Sequence, residues 1–157
     1  MTETITALAR GQSAVSADGP TISMIGTRAM LFEAPGEFTL ACQRRIWALM
    51  DACAERSDIE EVMPGVTNLM LIFSTPSENP EMVASWLRNA WETLPEKHIK
   101  GRLFEVAVRY GGELGSDLSR VAEHCRMSPQ DVITLHQAPL YTVCALGSVP
   151  GFGYLQG

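Results

Sequence analysis

Residues 106–118 read Val-Ala-Val-Arg-Tyr-Gly-Gly-Glu-Leu-Gly-Ser-Asp-Leu, and this stretch decides how the chain divides into parts. Apolar and polar residues alternate through Leu103–Tyr110, which predicts a half-buried strand. Gly111-Gly112 predicts a tight turn with positive φ. Ser116 is the predicted N-cap of a short helix whose apolar face follows, with Leu118, Val121, Ala122 and Cys125.

The residues downstream predict a second helix and a second strand. Ser128-Pro129 is typical of a helix start, with a capping serine and a proline in the first turn. This helix is expected to run to about His136, and Leu140–Leu146 to form the strand. Residues 147–157 are rich in turn formers.

The two short helices have the outline of a helix-turn-helix, which raises the possibility of DNA binding. The charge argues against it: Asp117, Glu123 and Asp131 outnumber Arg120 and Arg126. A recognition helix needs donors for phosphates and base edges. Two packed helices without a DNA-binding role are therefore the favoured interpretation.

The upstream half has a regular alternation of strands and helices. The predicted elements are one or two strands over Thr21–Phe32 broken near Gly26, a helix over 38–56, strands Ile59–Met63 and Asn68–Phe73, and a helix over Pro80–Thr93. The longer helix carries an apolar stripe of Cys42, Ile46, Leu49, Met50 and Cys53. The order β-β-α-β-β-α favours a two-layer α/β sandwich.

A polar stretch separates this half from the second. Glu96–Arg102 breaks the periodic pattern, so a domain boundary is predicted there. The resulting division is a disordered leader over 1–19, an α/β sandwich domain over 20–100 and a second domain over 101–157.

Composition and charge exclude several classes of protein. The net charge of −6 disfavours a broad phosphate-binding surface, so no nucleic-acid partner is expected. No apolar run could span a bilayer and no signal peptide is recognisable, so we expect a cytoplasmic protein without a membrane partner. Cys42, Cys53 and Cys125 lie on apolar helix faces and are interpreted as small buried side chains rather than zinc ligands.

The residues alone leave the chemistry open. Gly111–Gly115 resembles a phosphate-binding turn, but Glu113 would repel a phosphate, and a plain tight turn is favoured. His136 ends a helix, where it either complements the helix dipole or acts as a general acid or base. Asp58, Glu60 and Glu61 form an acidic group that is interpreted as solvated, and no metal site is predicted.

Taken as an ordered set, these motifs resemble the Kip-type family. It contains the B subunit of the bacterial 5-oxoprolinase complex, also called allophanate hydrolase subunit 1, and a sporulation histidine-kinase inhibitor. The resemblance covers about residues 20–157. It is carried by Glu61–Gly65, Val108–Leu118, Val121-Ala122, Val132-Ile133, His136, Tyr141 and Pro150–Leu155.

The resemblance implies an α+β fold in which the sandwich is followed by the first part of a cyclophilin-like β-barrel. Family members usually continue past the Pro-Gly-Phe motif, whereas this chain ends at Gly157. The barrel is therefore expected not to close from this chain alone, which exposes strand edges and favours association, including with a second copy. Gly147-Ser148 replaces the Gly-Phe more common in the family.

The resemblance also implies a chemistry and its partners. A 5-oxoprolinase complex of A, B and C subunits opens the lactam of 5-oxoproline to glutamate and consumes ATP, which would bind mainly outside this chain; no cofactor is expected on this chain alone. His136 is the first candidate catalytic residue, with Glu113 and Tyr141 next. Pro150, Gly151 and Phe152 are the candidate substrate-binding residues. The alternative function is that of a regulatory inhibitor with a sensor histidine kinase as its partner.

Overall fold

The computed structural model describes residues 19–157. The predicted leader, apart from Gly19, lies outside the described residues. The described chain forms two compact units. The first comprises the described residues up to His98 together with Val143–Gln156, and the second comprises Ile99–Thr142 with Gly157. The division into domains at residue 100 stays a prediction.

A four-stranded antiparallel sheet forms the base of the first unit. Its strands are β1 (Thr21–Ile25), β2 (Ala29–Glu33), β3 (Ile59–Pro64) and β4 (Asn68–Phe73). They lie in the order β1-β2-β4-β3, so β4 is central, as its almost wholly apolar sequence predicts. A register shift in β3 lies between Ile59 and Glu61.

Two helices, α1 (Leu40–Ala54) and α2 (Pro80–Thr93), complete the predicted β-β-α-β-β-α order. The side chain of Thr39 caps α1 by accepting from the backbone N–H of Cys42 at 3.1 Å. Asn79 caps α2 by accepting from the N–H of Met82 at 3.1 Å. Pro80 occupies the first turn of α2, where the missing N–H costs no hydrogen bond.

The core lies where alternate residues of β2 and β4 meet the apolar stripes of both helices. Phe32 and Trp91 lie in contact with ring centroids 5.2 Å apart. Burial of these side chains stabilises the unit by roughly 1.5–3 kcal/mol each. The largest fully buried apolar side chains are Met30, Phe32, Ile46, Leu49, Leu69, Leu71, Phe73 and Leu87. The predicted α+β class with antiparallel strands is confirmed.

A second, two-stranded sheet also belongs largely to the first unit. It consists of β5 (Thr142–Leu146) and β6 (Gly153–Gln156). The buried side chain of Gln43 in α1 joins it to the four-stranded part: Nε2 donates to the carbonyls of Gly65, at 2.9 Å, and Cys144, at 3.3 Å. Oε1 of Gln43 accepts from the N–H of Thr67 at 3.0 Å. One buried amide thus satisfies three backbone groups.

The second unit contains a 3-10 helix (Glu113–Gly115), α3 (Leu118–Cys125) and α4 (Pro129–Gln137). Helices α3 and α4 pack against each other. A capping box starts α4: the hydroxyl of Ser128 accepts from the N–H of Asp131 at 3.1 Å, and the Asp131 carboxylate accepts from the N–H of Ser128 at 3.3 Å.

Three predictions for this part of the chain are wrong. Residues 103–110 form no strand, because no neighbouring strand pairs with them within residues 19–157 and side chains such as Val106 stay exposed. Asp117, not Ser116, precedes α3 as its N-cap, since Ser116 ends the 3-10 helix. Cys125 is exposed rather than buried. Among the predicted apolar residues of α3, only Ala122 is buried.

Within residues 19–157, no helix has the length and apolar character needed to cross a membrane.

Candidate functional site

His136 lies in the last turn of α4, and its imidazole is held by a tyrosine from outside the helix. Nδ1 of His136 lies 2.6 Å from the hydroxyl oxygen of Tyr110, a residue 26 positions earlier. The two rings meet edge to face, with centroids 5.7 Å apart and planes inclined by 80°. Tyr110 is half-buried and His136 is exposed. The arrangement fixes the orientation of a solvent-facing imidazole.

A second tyrosine holds the backbone of the same residue. The hydroxyl of Tyr141 donates to the carbonyl oxygen of His136 at 2.8 Å. Carbonyls in the last turn of a helix lack intrahelical partners, so this bond supplies one. The rings of His136 and Tyr141 also lie in contact, with centroids 5.6 Å apart. Tyr110, His136 and Tyr141 are called the His136 cluster below.

The second ring nitrogen of His136, Nε2, is available to interact with a ligand. Among residues 19–157, no hydrogen bond reaches Nε2 of His136. A histidine with one nitrogen anchored and the other open can donate a hydrogen bond to a bound oxygen or exchange a proton with it. The structure thus brings together two of the three predicted catalytic residues and adds Tyr110.

Glu113, the third predicted catalytic residue, lies three positions after Tyr110. It begins the 3-10 helix and is exposed. Within Ile99–Thr142, its carboxylate forms no hydrogen bond or ion pair with a cluster residue. The backbone before it is set by Gly111 and Gly112, whose φ values are 69° and 64°. The predicted positive-φ turn is confirmed at both glycines.

The three predicted substrate-binding residues share one tight turn between β5 and β6. The N–H of Phe152 donates to the carbonyl of Val149 at 3.0 Å, with Pro150 second and Gly151 third in the turn. Gly151 has a φ of 83°, which is the positive value that a type II turn requires at this position. All three residues are exposed.

The ring of Phe152 packs closely on the backbone at the start of this turn. A Cβ on Gly147 would lie 2.6 Å from Cδ1 of Phe152, so a larger residue there would require the ring to shift. Phe152 also meets Tyr154 edge to face, with centroids 5.4 Å apart. The rings of Phe152 and Tyr154 thus form an exposed apolar surface beside the turn.

Two of the three acidic residues around β3, Asp58 and Glu60, form ion pairs with arginines. Asp58 accepts from Arg56 at 2.7 Å, and Glu60 pairs with Arg28 at 2.7 Å. The hydrogen bond from Arg56 lowers the pKa of the Asp58 carboxyl. No group of three metal-ligating side chains occurs in the part of the chain that the structure describes.

Sequence reasoning did not single out Tyr110 as a site residue. It stands in the motif Val108-Arg-Tyr-Gly-Gly112 immediately before the turn glycines. Its place in an ordered motif was a usable signal. Its partner was not predictable, because a side-chain contact across 26 positions depends on the tertiary structure.

Comparisons with known proteins identify the family. A family model described as carboxyltransferase domain, subdomain C and D, matches residues 20–157. The chain is 36% identical over 132 residues to the 5-oxoprolinase B subunit of Escherichia coli O157:H7. The chain belongs to the family of 5-oxoprolinase B subunits. A second relative, the 5-oxoprolinase B subunit of Haemophilus influenzae (strain ATCC 51907 / DSM 11121 / KW20 / Rd), is 34% identical over 133 residues.

The matched region is a larger fraction of this chain than of its relatives. The matches cover 84% and 85% of this chain, but 61% and 62% of the two relatives. The chain thus spans about three fifths of the length of these family members. Among solved structures, the crystal structure of TTHA0988 is similar with a TM-score of 0.58 and 32% identity, over 82% of this chain and 25% of that one.

Proposed function

We propose that this chain acts as part of a 5-oxoprolinase-type complex, which opens the ring of 5-oxoproline to glutamate with consumption of ATP. The family membership supports the reaction class. The observation that carries the proposal is the His136 cluster. Three residues of the family-like motifs, of which Tyr110 lies 26 positions before His136, meet around one exposed imidazole with an open nitrogen.

The reaction defines what such a site would have to do. An amide carbonyl is a poor electrophile, and phosphorylation of its oxygen by ATP makes a better leaving group for attack by water. Negative charge gathers on oxygen atoms along this route, and fixed hydrogen-bond donors stabilise it. In the proposal, His136 contacts the reacting group, with Glu113 and Tyr141 as the next candidates. Pro150, Gly151 and Phe152 stay the candidate substrate-binding residues.

The family resemblance supports the proposed assembly. The chain would pair with the C subunit of 5-oxoprolinase through a cyclophilin-like barrel of which it supplies the first part, alongside the β-β-α-β-β-α sandwich. The A subunit would complete the complex. ATP would bind mainly on these two partners, with no cofactor held by this chain alone. Inhibition of a sensor histidine kinase stays a prediction from the sequence.

Reconstitution tests the proposal directly. The chain is mixed with the A and C subunits from its own source, and phosphate release is measured with and without 5-oxoproline. We expect 5-oxoproline-dependent ATP hydrolysis that needs all three components and yields glutamate. Full activity of the A and C subunits without this chain would overturn the proposal. Failure of all mixtures, together with inhibition of a sensor histidine kinase by this chain, would favour the alternative.

A further inference from the structure

We infer that Tyr110 is a positioning residue that holds the neutral His136 in the tautomer with its proton on Nε2, so that the ring offers an N–H donor to a ligand oxygen. The inference about the tautomer rests on the contacts of this chain. Its meaning for catalysis rests on the function proposed above.

The direction of the hydrogen bond between Tyr110 and His136 sets the tautomer. A phenol O–H is more acidic than the N–H of neutral imidazole and is therefore the stronger hydrogen-bond donor, while the unprotonated ring nitrogen is a good acceptor. Within residues 19–157, Nδ1 of His136 is the acceptor that lies within reach of the Tyr110 hydroxyl, at 2.6 Å. The phenol therefore donates to Nδ1, and the proton of the neutral ring resides on Nε2.

The surroundings hold this geometry in place. Tyr110 is half-buried and lies immediately before Gly111-Gly112, whose positive φ values fix the backbone. The other end of the arrangement is fixed by Tyr141, which binds the carbonyl of His136. The ring is thus anchored at Nδ1 and its residue at the backbone, while Nε2 faces away from Tyr110.

The tautomer selects the kind of ligand atom that fits. An N–H on Nε2 recognises an acceptor oxygen, such as a lactam carbonyl, a carboxylate or a phosphoryl oxygen. It cannot accept a proton from water at Nε2 while the proton is there. The arrangement therefore favours stabilisation of charge on a substrate oxygen over general-base activation of water.

Nuclear magnetic resonance of the imidazole nitrogens in the full chain tests the tautomer without any partner. At a pH where the ring is neutral, we expect wild type to show a protonated Nε2 and an unprotonated Nδ1. Tyr110→Phe should restore a detectable population of the other tautomer, and Tyr154→Phe, a matched change of an exposed tyrosine, should not. A proton on Nδ1 in wild type, or identical spectra for wild type and Tyr110→Phe, would overturn the inference.

Activity of the reconstituted complex tests the role of the donor. Gln at position 136 can place an amide N–H near the position of Nε2, whereas Glu of similar size offers only acceptors when ionised. We expect His136→Gln to keep kcat within about tenfold of wild type and His136→Glu to lose about a hundredfold or more. Tyr110→Phe should lower kcat about tenfold with KM for 5-oxoproline little changed.

The two arms separate the inference from the proposed function. Higher activity of His136→Glu than of His136→Gln would overturn the donor role. Suppose that His136→Gln and His136→Glu both keep the wild-type kcat, while wild type and Tyr110→Phe show the expected nitrogen spectra. His136 would then have no part in the reaction, but Tyr110 would still fix the tautomer.

Discussion

The side-chain nitrogen of Gln43 lies 3.3 Å from the carbonyl oxygen of Cys144, 101 positions further along the chain. This bond is buried, and the same amide also serves Gly65 and Thr67 in the turn between β3 and β4. Thr67 adopts a φ of 57°, a conformation that a branched residue rarely takes without support. Gln43 thus joins α1, a strained turn and β5 within the first unit.

Gln43→Leu should therefore destabilise the protein strongly. Leu has a similar volume but no polar atoms, so the half-buried carbonyl of Gly65 and N–H of Thr67 and the buried carbonyl of Cys144 would each lose one hydrogen bond. Each unsatisfied buried group costs about 1–3 kcal/mol, and partial access of water reduces the sum, so we expect a loss of roughly 2–4 kcal/mol in the free energy of unfolding. Urea denaturation measures it.

Gln130→Leu is the matched control for this change. Gln130 is exposed on α4, and its substitution should change the free energy of unfolding by no more than about 0.5 kcal/mol. Equal effects of the two substitutions would contradict the role given to Gln43.

Gly112→Ala should destabilise the second unit through the backbone alone. Gly112 has φ 64° and ψ −157°, a region that is essentially restricted to glycine. An added Cβ would meet no heavy atom within 4 Å, so no steric clash confuses the result. We expect a loss of about 1–3 kcal/mol in the free energy of unfolding.

Gly101→Ala provides the comparison, because Gly101 also has open space around it and no positive φ. There the substitution should be neutral or slightly stabilising. A Gly112→Ala variant as stable as Gly101→Ala would show that the turn before the 3-10 helix does not need glycine.

Because of the Cys53 thiol, the free energy of unfolding should decrease at alkaline pH. Burial raises its pKa to about 12 from the ordinary 9.0, an effect that Arg56 reduces. The unfolded chain therefore ionises first as the pH rises, so stability is present below about pH 9 and falls between about pH 9 and 12. At about pH 10.5 the loss from this thiol should approach 2 kcal/mol.

Comparison with Cys53→Val isolates that contribution. The free energy of unfolding of each protein is measured at about pH 8 and about pH 10.5. The decrease between the two pH values should be smaller in Cys53→Val than in wild type, whatever the variant costs at pH 8. Equal decreases would mean that the Cys53 thiol is not desolvated in the native protein.

The sandwich-like half was largely predictable because its local signals and its packing agree. Strand β4 and helix α2 have the predicted bounds, since an apolar run between turn residues and a helix opened by Asn79-Pro80 leave little choice. Gln43 was missed although it lies three residues before Ile46 on the same stripe. A polar residue in that position was a signal for a buried hydrogen-bonded side chain.

The second half was less predictable because its structure depends on contacts with segments that are distant in sequence. The alternation in Leu103–Tyr110 is a genuine strand pattern, but a strand also needs a neighbour to satisfy its backbone, and none of residues 19–157 supplies one. Tyr110 and His136 each stand in a recognisable motif, while their hydrogen bond depends on how the segments fold together. The sequence thus allowed individual site residues to be predicted, but not which of them contact each other.

The participation of His136 in the reaction is the central claim. Its most direct test is the kcat for 5-oxoproline-dependent ATP hydrolysis by the complex reconstituted with His136→Ala. His124→Ala is the control, because His124 is an exposed histidine in α3. We predict a kcat about a hundredfold or more below wild type for His136→Ala, with unchanged assembly, and wild-type kcat for His124→Ala. Wild-type kcat in the His136→Ala complex would contradict the account.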